Sequence, residues 1–292
     1  MRGLTILDGG MGGELIRREA TPRDGLWSAQ ALLEAPDLVA EVHRDYIEAG
    51  ARVIITNSYS TIPSYLGKKG LAGRYLELAE RAGQIARREA DAAIDEVLVA
   101  GSLPPLEESY RADLVLPAAD AIPVYRALAT ALKPYVDLFV CETMSCVDEA
   151  VNAVGAAREV GGRDMPVWVA WTLDETPGGG LRSGESIAEA FAAVEAFRPA
   201  ACLFNCTSPA AISAGLKTLR ELTELPIGAY PNQSHIPEGW TLDNDIPTEY
   251  QPITIDEFID FAGEWRASGA SLIGGCCGVG PEYIASLAKT MA

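Results

Sequence analysis

The sequence of 292 residues is 48% hydrophobic and carries a formal net charge of −18. It is therefore predicted to fold around a sizeable core rather than to be disordered. The acidic balance argues against a nucleic acid or an anionic membrane as partner, because both bind through clusters of Lys and Arg. Basic residues here form nothing larger than pairs such as Lys68-Lys69 and Arg87-Arg88.

No membrane-spanning or secretory segment is predicted. The longest uncharged run, residues 199–216, contains several polar residues and is typical of a buried strand, a loop and the start of a helix. The first residues lead directly into a strand-like stretch, which predicts a cytoplasmic protein. The six cysteines are too few for a disulfide scaffold in a chain of this length, so we expect buried, catalytic or metal-binding thiols.

Short apolar segments rich in Val, Ile and Leu predict β-strands that are buried on both faces. In chain order they span residues 4–8, 52–58, 97–102, 138–142, 167–172, 201–205, 227–230 and 271–275.

Longer amphipathic stretches between these strands predict helices. One begins at Ala35-Pro36-Asp37 and ends at Gly50, and Ser145 is expected to cap another that ends at Gly161-Gly162. The remaining predicted helices span 71–94, 185–197, 209–222, 255–268 and 281–291.

This alternation predicts an α/β fold, a (β/α)₈ TIM barrel that forms a single domain over residues 1–292. The alternative is an open doubly wound sheet, but no GxGxxG or GxxxxGKS/T phosphate loop follows a predicted strand. The segment Gly9-Gly10-Met11-Gly12-Gly13 is expected to be a flexible turn. Residues 232–251 predict a long loop that is a lid, a subunit contact or a plain surface excursion.

Polar residues stand at the ends of the predicted strands. In a (β/α)₈ barrel these ends share one rim, where active sites lie. Because burying such groups without partners is unfavourable, their accumulation at one rim predicts a site. They include Asp8, Asn57, Ser102, Glu142, Thr172, Asn205, Cys206, Cys276 and Cys277.

The adjacent pair Cys276-Cys277 is the sharpest feature of this rim. Adjacent cysteines rarely form a disulfide with each other, and the flanking glycines leave the backbone free to turn both sulfurs toward one point. Cys206 ends the sixth strand, close to the eighth in a barrel. The sequence therefore predicts a metal site of Cys206, Cys276 and Cys277. The alternative is that the thiols are buried small hydrophobic groups.

Three soft thiolates favour Zn²⁺, and three protein ligands leave the fourth tetrahedral position open, as in catalytic zinc sites. A substrate thiol suits that position, because the metal would lower its pKa and keep it ionised. The electron-rich ligand set suits thiol activation better than water activation. Neither His43, within a helix, nor His235, in the long loop, is needed as a ligand.

A set of motifs in this order resembles the homocysteine S-methyltransferase family from residue 5 to residue 281. The paired cysteines with the distant Asn-Cys are highly specific, whereas the other motifs are individually weak. The motifs are Asp8-Gly9-Gly10-Met11-Gly12-Gly13-Glu14-Leu15, Leu26-Trp27-Ser28, Thr56-Asn57-Ser58-Tyr59, Gly101-Ser102-Leu103-Pro104-Pro105, Glu142-Thr143-Met144, Asn205-Cys206-Thr207 and Gly274-Gly275-Cys276-Cys277-Gly278.

The resemblance implies a (β/α)₈ barrel with zinc on the three cysteines. It also implies that Asp8 and Glu142 hold the amino-acid end of homocysteine, where two carboxylates would pair with the substrate ammonium. Asn57 is expected to contact the substrate from the same rim. The zinc-bound thiolate would attack the methyl carbon of a cationic donor and give methionine.

Departures from the family's sequence patterns narrow the choice of methyl donor. Trp27 and Tyr59 are candidates for binding a cationic methyl group by their ring faces, with core packing as the alternative. Ser60 stands where the betaine enzymes carry a tyrosine, and neither their C-terminal extension nor cobalamin or folate domains are expected. A sulfonium donor is predicted, S-methylmethionine before S-adenosylmethionine, although Leu106-Glu107-Glu108 replaces a more glycine-rich loop.

Other functions stay open at this point. The acceptor could be selenocysteine or another small thiol, and the donor could be betaine. A non-catalytic zinc-thiolate protein would explain the cysteines but not Asp8, Asn57 and Glu142 at the same rim. A lyase or aldolase barrel would require a strand-end lysine for Schiff-base chemistry, and none is present. A monomer or a homodimer is expected.

Overall fold

All eight predicted strands form, and they lie side by side in one parallel sheet. The computed structural model describes residues 3–18, 26–237, 239–241 and 246–291. A separate antiparallel pair, β8 (Ser234–His235) and β9 (Glu249–Tyr250), lies within the predicted long loop. The strands of the main sheet are β1 (Thr5–Ile6), β2 (Val53–Ile55), β3 (Leu98–Leu103), β4 (Leu138–Met144), β5 (Val167–Trp171), β6 (Ala201–Asn205), β7 (Ile227–Tyr230) and β10 (Ala270–Ile273).

The sheet closes on itself between its first and second strands. Its order is β1-β10-β7-β6-β5-β4-β3-β2, and a parallel bridge joins Leu7 to Val53 beyond the end of β1. The Asp8 amide donates to the Val53 carbonyl at 3.0 Å, and the Arg52 amide donates to the Ile6 carbonyl at 2.8 Å. The predicted (β/α)₈ barrel is thereby confirmed, and the open doubly wound sheet is excluded.

Alternate residues of each strand face the barrel interior or the surrounding helices. Along β4, Leu138 and Val140 belong to the inner cluster, whereas Phe139 and Cys141 pack in the outer core. Trp168 in the inner cluster lies among small residues such as Ala100 and Ala170. The interior is therefore filled with side chains, and only the rim is free for chemistry.

Eleven helices cover the outside of the barrel within the described residues. Their apolar faces form the larger of the two core clusters together with the outward side chains of the strands. None of these helices combines the length and the apolar character that a membrane span requires. They are α1 (Met11–Arg17), α2 (Ala29–Glu34), α3 (Pro36–Glu48), α4 (Pro63–Gly67), α5 (Tyr75–Ala92), α6 (Ala118–Leu132), α7 (Val147–Gly161), α8 (Ile187–Glu195), α9 (Pro209–Leu222), α10 (Ile255–Ala267) and α11 (Pro281–Met291).

Helix α6 was not predicted, because Pro123 lies in its interior and proline removes a helical hydrogen bond. Packing against α5 and α7 compensates for that loss. The helix predicted from residue 71 begins later, since Ala72–Arg74 forms a 3₁₀ turn before α5. The cap of α7 is Cys146 rather than Ser145, whose amide and hydroxyl instead donate to the Glu149 carboxylate at 2.7 and 2.8 Å.

The glycine-rich segment after β1 is not the flexible turn that its composition indicated, because α1 begins within it at Met11. Its glycines are required by close packing. A Cβ on Gly9 would lie 2.3 Å from the Val279 carbonyl oxygen, and one on Gly10 would lie 2.6 Å from the Cys276 carbonyl oxygen. The segment therefore fits directly against the loop that carries the paired cysteines.

Candidate metal centre

The three predicted cysteines converge at the C-terminal rim of the barrel. Cys206 follows β6, and Cys276 and Cys277 follow β10. The Cys276 and Cys206 sulfurs are 2.9 Å apart, those of Cys206 and Cys277 are 3.9 Å apart, and all three lie within 4.8 Å of one another. Each thiol is free of disulfide bonds. One ion at the centre of this triangle could contact all three sulfurs.

The backbone that presents Cys206 adopts an unusual conformation. Its φ of +51° lies in the left-handed region, which non-glycine residues rarely occupy. Hydrogen bonds hold it there, since its amide donates to the Tyr230 carbonyl at 3.1 Å. Its carbonyl accepts from Thr172 Oγ1 at 3.3 Å and from Asn232 Nδ2 at 3.2 Å. The surrounding loops therefore fix the direction of this side chain.

The paired cysteines are held by the segment that follows β7. The Cys276 amide donates to the Pro231 carbonyl at 2.8 Å, and the Cys277 carbonyl accepts from the Gln233 amide at 2.9 Å. The turn after them requires Gly278, whose φ is +86°. Since β7 lies between β6 and β10 in the sheet, its loop supports both halves of the thiol cluster.

The thiols influence one another's protonation. Hydrogen bonds from the Cys206 and Cys276 thiols hold the pKa of Cys277 well below its ordinary value. The pKa of Cys276 is raised by its hydrogen bonds to the other two sulfurs and by burial. Without a metal, one thiolate can be stabilised by hydrogen bonds from two protonated thiols. Three thiolates side by side require a cation to balance their negative charge. Metal binding at this cluster must therefore release protons.

Two buried carboxyl groups lie at the same rim. Asp8 Oδ2 accepts from the Ile55 amide at 2.8 Å, whereas Asp8 Oδ1 is buried and has no hydrogen-bond partner among the described residues. Glu142 accepts from Ser102 Oγ at 2.5 Å and from the Tyr230 hydroxyl at 3.3 Å. Burial raises the pKa of Asp8 well above its ordinary value, and repulsion from Glu142 adds to the shift. Burial also raises the pKa of Glu142 to about 7.

The sulfurs and the carboxylates line one cavity of about 240 Å³. Among the described residues of its wall there is no Lys, Arg or His. The described wall therefore offers the buried carboxyl groups and thiols no cationic side chain, and a positively charged ligand would stabilise their ionised forms. The rest of the wall includes several aromatic rings, namely Trp27, Tyr59, Tyr65, Tyr110, Tyr230 and Trp240.

Comparison with known proteins decides the family. Residues 5–291 match the family described as homocysteine S-methyltransferase. This chain belongs to the homocysteine S-methyltransferase family. It is 32% identical over 316 residues to homocysteine S-methyltransferase 4 of Zea mays, covering 99% of this chain and 90% of that protein.

Two further similarities agree with this family assignment. The chain is 31% identical over 325 residues to the selenocysteine methyltransferase of Astragalus bisulcatus, covering 98% of this chain and 92% of that protein. Its fold matches the crystal structure of the homocysteine methyltransferase MmuM from Escherichia coli in its metallated form. That match has a TM-score of 0.82 and 29% identity, and it covers 99% of this chain and 96% of that one.

The other predicted site residues of this homocysteine S-methyltransferase family member also line the cavity. Asn57 Nδ2 donates to the Ser28 carbonyl at 3.1 Å, so its amide fixes the turn next to Trp27. Trp27 has a φ of +49° and packs against Gly12, where a Cβ would lie 2.5 Å from the indole nitrogen. Tyr59 pairs its hydroxyl with Ser109 Oγ at 2.7 Å.

Two groups at the centre were missed by sequence reasoning. The Tyr110 hydroxyl lies 3.0 Å from Cys206 Sγ, although none of the sequence motifs includes this tyrosine. Tyr230 contacts Glu142 from the last position of β7. An aromatic residue at the end of a predicted strand, or in a loop at the active rim, was the available signal for both.

Proposed function

We propose that this protein transfers a methyl group from a sulfonium donor to the thiol of homocysteine, with zinc held by Cys206, Cys276 and Cys277. One observation carries the proposal: three converging sulfurs and two buried carboxyl groups share a single cavity, and none of its described lining residues is cationic. The three sulfurs can hold a metal ion that binds a substrate thiol, and the two carboxyl groups can pair with an ammonium group. An α-amino acid that bears a thiol has both features.

The donor set supports zinc as the ion. Three thiolates from one protein select a soft or borderline cation and leave a fourth position free for a substrate atom. When bound there, zinc would supply a positive charge that keeps the substrate thiol ionised at neutral pH. The three cysteines would lose their protons on binding the ion, and the loops around Cys206 would keep its sulfur in place.

Asp8 and Glu142 are proposed to bind the amino-acid end of homocysteine. The Oδ1 atom of Asp8 is buried, accepts no hydrogen bond from the described part of the chain, and can accept one from an ammonium group. Glu142 is already oriented by Ser102 and Tyr230. Contacts from both carboxyl groups to the ammonium group of homocysteine would fix the position of the substrate relative to the metal, so its thiolate is aligned for displacement.

The charge of the cavity supports a cationic methyl donor. In the displacement, a bond forms between the homocysteine sulfur and the methyl carbon while the bond from that carbon to the sulfonium sulfur breaks. The donor then leaves as a neutral thioether, and the thiol proton goes to solvent. We propose that the faces of Trp27 and Tyr59 stabilise the positive charge before transfer. S-Methylmethionine is expected to be used before S-adenosylmethionine.

Betaine is the less favoured donor. Ser60 is buried and its Oγ lies 3.4 Å from Ser28 Oγ, so a hydroxyl pair occupies the position that a tyrosine holds in the betaine enzymes. A second acceptor, selenocysteine, is favoured by the similarity to a selenocysteine methyltransferase. The same thiol cluster suits a selenol, because selenium is a soft ligand as well.

The deciding experiment measures methionine formation from homocysteine by the zinc-loaded protein. S-Methylmethionine, S-adenosylmethionine and betaine are offered in parallel, and selenocysteine replaces homocysteine in a second series. We expect turnover with a sulfonium donor and little with betaine. Turnover with betaine alone would overturn the donor assignment, and no product from any pair would contradict methyl transfer by this protein and favour a non-catalytic zinc-thiolate role.

A further inference from the structure

Tyr110, in the loop between β3 and α6, contacts one sulfur of the thiol cluster with its side chain. Its hydroxyl oxygen lies 3.0 Å from Cys206 Sγ. A thiolate can only accept a hydrogen bond, so a Cys206 sulfur that binds a cation must receive the bond from the tyrosine. This contact is a charge-assisted hydrogen bond, which is stronger than one between neutral groups.

We propose that Tyr110 is a positioning residue of the metal centre, whose hydroxyl fixes the Cys206 sulfur and withdraws negative charge from it. The inference rests on the proposed function in one respect, since it requires a cation on the three cysteines. It goes beyond that function because it assigns a fourth side chain to the control of the site.

The ring and backbone of Tyr110 are constrained on several sides. Its φ of +68° is unusual for an aromatic residue and persists only where the surroundings impose it. The Trp240 ring packs edge-on against the tyrosine ring, with centroids 5.8 Å apart. The Arg182 guanidinium lies over the same ring, 5.2 Å from its centroid. The hydroxyl is therefore held in one direction, toward Cys206.

Arg182 also links Tyr110 to the segment that carries Cys206. It forms a 2.7 Å ion pair with Glu175, and these side chains are only 10% and 13% exposed. The other Glu175 oxygen accepts from the Ser208 amide at 3.2 Å, two residues beyond Cys206. The loops after β3, β5 and β6 thus form a closed set of contacts around one sulfur. A contact network of this kind orients metal ligands and tunes their basicity.

The hydrogen bond has a specific consequence for the centre. Three thiolates and one divalent ion carry a net charge of −1, and a donor on one sulfur reduces the electron density that reaches the metal. Without the hydroxyl, Cys206 becomes a more electron-rich ligand with a less fixed position. The energy of charge transfer from sulfur to a bound transition metal falls when the sulfur loses its hydrogen bond, so this property reports on Tyr110 directly.

The test uses the full-length protein loaded with Co²⁺ instead of zinc, without substrates. Tyr110→Phe removes the hydroxyl and keeps the ring. We expect one Co²⁺ per chain, a sulfur-to-cobalt absorption band displaced to longer wavelength, and about tenfold weaker metal affinity in chelator competition. Tyr59→Phe is the matched control, because its hydroxyl pairs with Ser109 in the same cavity. It should leave the band and the affinity unchanged.

A Tyr110→Phe protein with the wild-type band and affinity would overturn the proposal. If that variant fails to fold, Arg182→Met takes its place, since it releases the ring while Tyr110 keeps its hydroxyl. A band displaced in the same direction supports the proposal, and an unchanged band contradicts it. A wild-type protein that shows the band but transfers no methyl group refutes only the proposed function. A wild-type protein without a thiolate band refutes both.

Discussion

Ser102 on β3 donates a 2.5 Å hydrogen bond to the carboxylate of Glu142 on β4, so two neighbouring strands share one oriented acid at the rim. Both residues are buried. Because the hydroxyl fixes the acid, Ser102→Ala should raise the KM for homocysteine about tenfold, the effect of one lost hydrogen bond to a charged group. Steady-state kinetics at saturating donor would measure it. A change in kcat alone would contradict a role in binding.

A second prediction concerns pH and uses Glu142. Burial raises its pKa from an ordinary value of 4.5 to about 7. Between these values the native protein retains a proton that the unfolded chain has released. The free energy of unfolding therefore falls as pH rises through this window, by about 3 kcal/mol for the full shift. In metal-free protein, Glu142→Gln should remove that part of the decline between pH 5 and pH 8, measured by urea unfolding.

Glu149 provides the matched control for this pH experiment. Burial raises its pKa to about 7 as well, but its carboxylate contacts Ser145 at the start of α7 and lies outside the cavity wall. Glu149→Gln should flatten the stability curve in the same way. Only Glu142→Gln should also weaken homocysteine binding at pH 8. If the unfolding free energy of Glu142→Gln still declines with pH as in the wild-type protein, this carboxyl group is not the source of the pH dependence.

A third prediction separates the thiol cluster from the other cysteines. Cys206→Ala removes one of three ligands, so the protein should lose its zinc on dialysis and bind it at least a hundredfold more weakly, since even indirect contacts to a metal contribute ten- to hundredfold. Cys202→Ala is the control. Cys202 lies on β6, the strand that precedes Cys206, but packs in the outer core, so this variant should be less stable yet hold one zinc per chain.

Metal analysis after gel filtration, together with methionine formation, would decide this third prediction. Full zinc occupancy in Cys206→Ala would remove the cysteine from the ligand set. Zinc loss in Cys202→Ala would show that occupancy depends on core packing rather than on the three rim thiols.

The fourth prediction tests the contact between the glycine-rich segment and the metal loop. A Cβ on Gly10 would lie 2.6 Å from the Cys276 carbonyl oxygen. Gly10→Ala must therefore displace this loop, which should destabilise the protein by about 1–3 kcal/mol and weaken metal binding. Gly73→Ala brings the new methyl group within 4 Å of no described atom outside its immediate neighbours and should change neither property. Thermal unfolding with and without zinc would compare the two variants. Equal unfolding temperatures and equal stabilisation by zinc would exclude the contact between Gly10 and the Cys276 loop.

The fold was predictable because its signals are local. Eight apolar runs and the helices between them follow from periodicity, and α9 and α11 begin and end where the sequence predicts. Helix α6 was missed because Pro123 opposes it locally, and tertiary packing prevails. The glycine-rich segment was interpreted as flexible because composition does not show which backbone atoms approach a glycine in space.

The candidate site was predictable where its residues occupy strand ends. The cluster of Cys206, Cys276 and Cys277 follows from a paired motif and the rule that these ends meet at one rim. Tyr110 lies in a loop whose path depends on packing with Trp240 and Arg182, so no spacing in the sequence places its hydroxyl at a sulfur. The substrate roles of Asp8 and Glu142, the cytoplasmic location and the oligomeric state stay predictions.

The order of strands at the metal centre also determines when the protein can acquire its ion. The thiols come from the loops after β6 and β10, seventy residues apart in the chain and separated by β7 in the sheet. A growing polypeptide has only Cys206 of this set until the residues that follow β10 have been synthesised. The cluster exists only after β10 has docked beside β7 and β1. Metal capture therefore requires that β10 has already joined the barrel, and the bound ion would then hold the loop after β6 to the loop after β10.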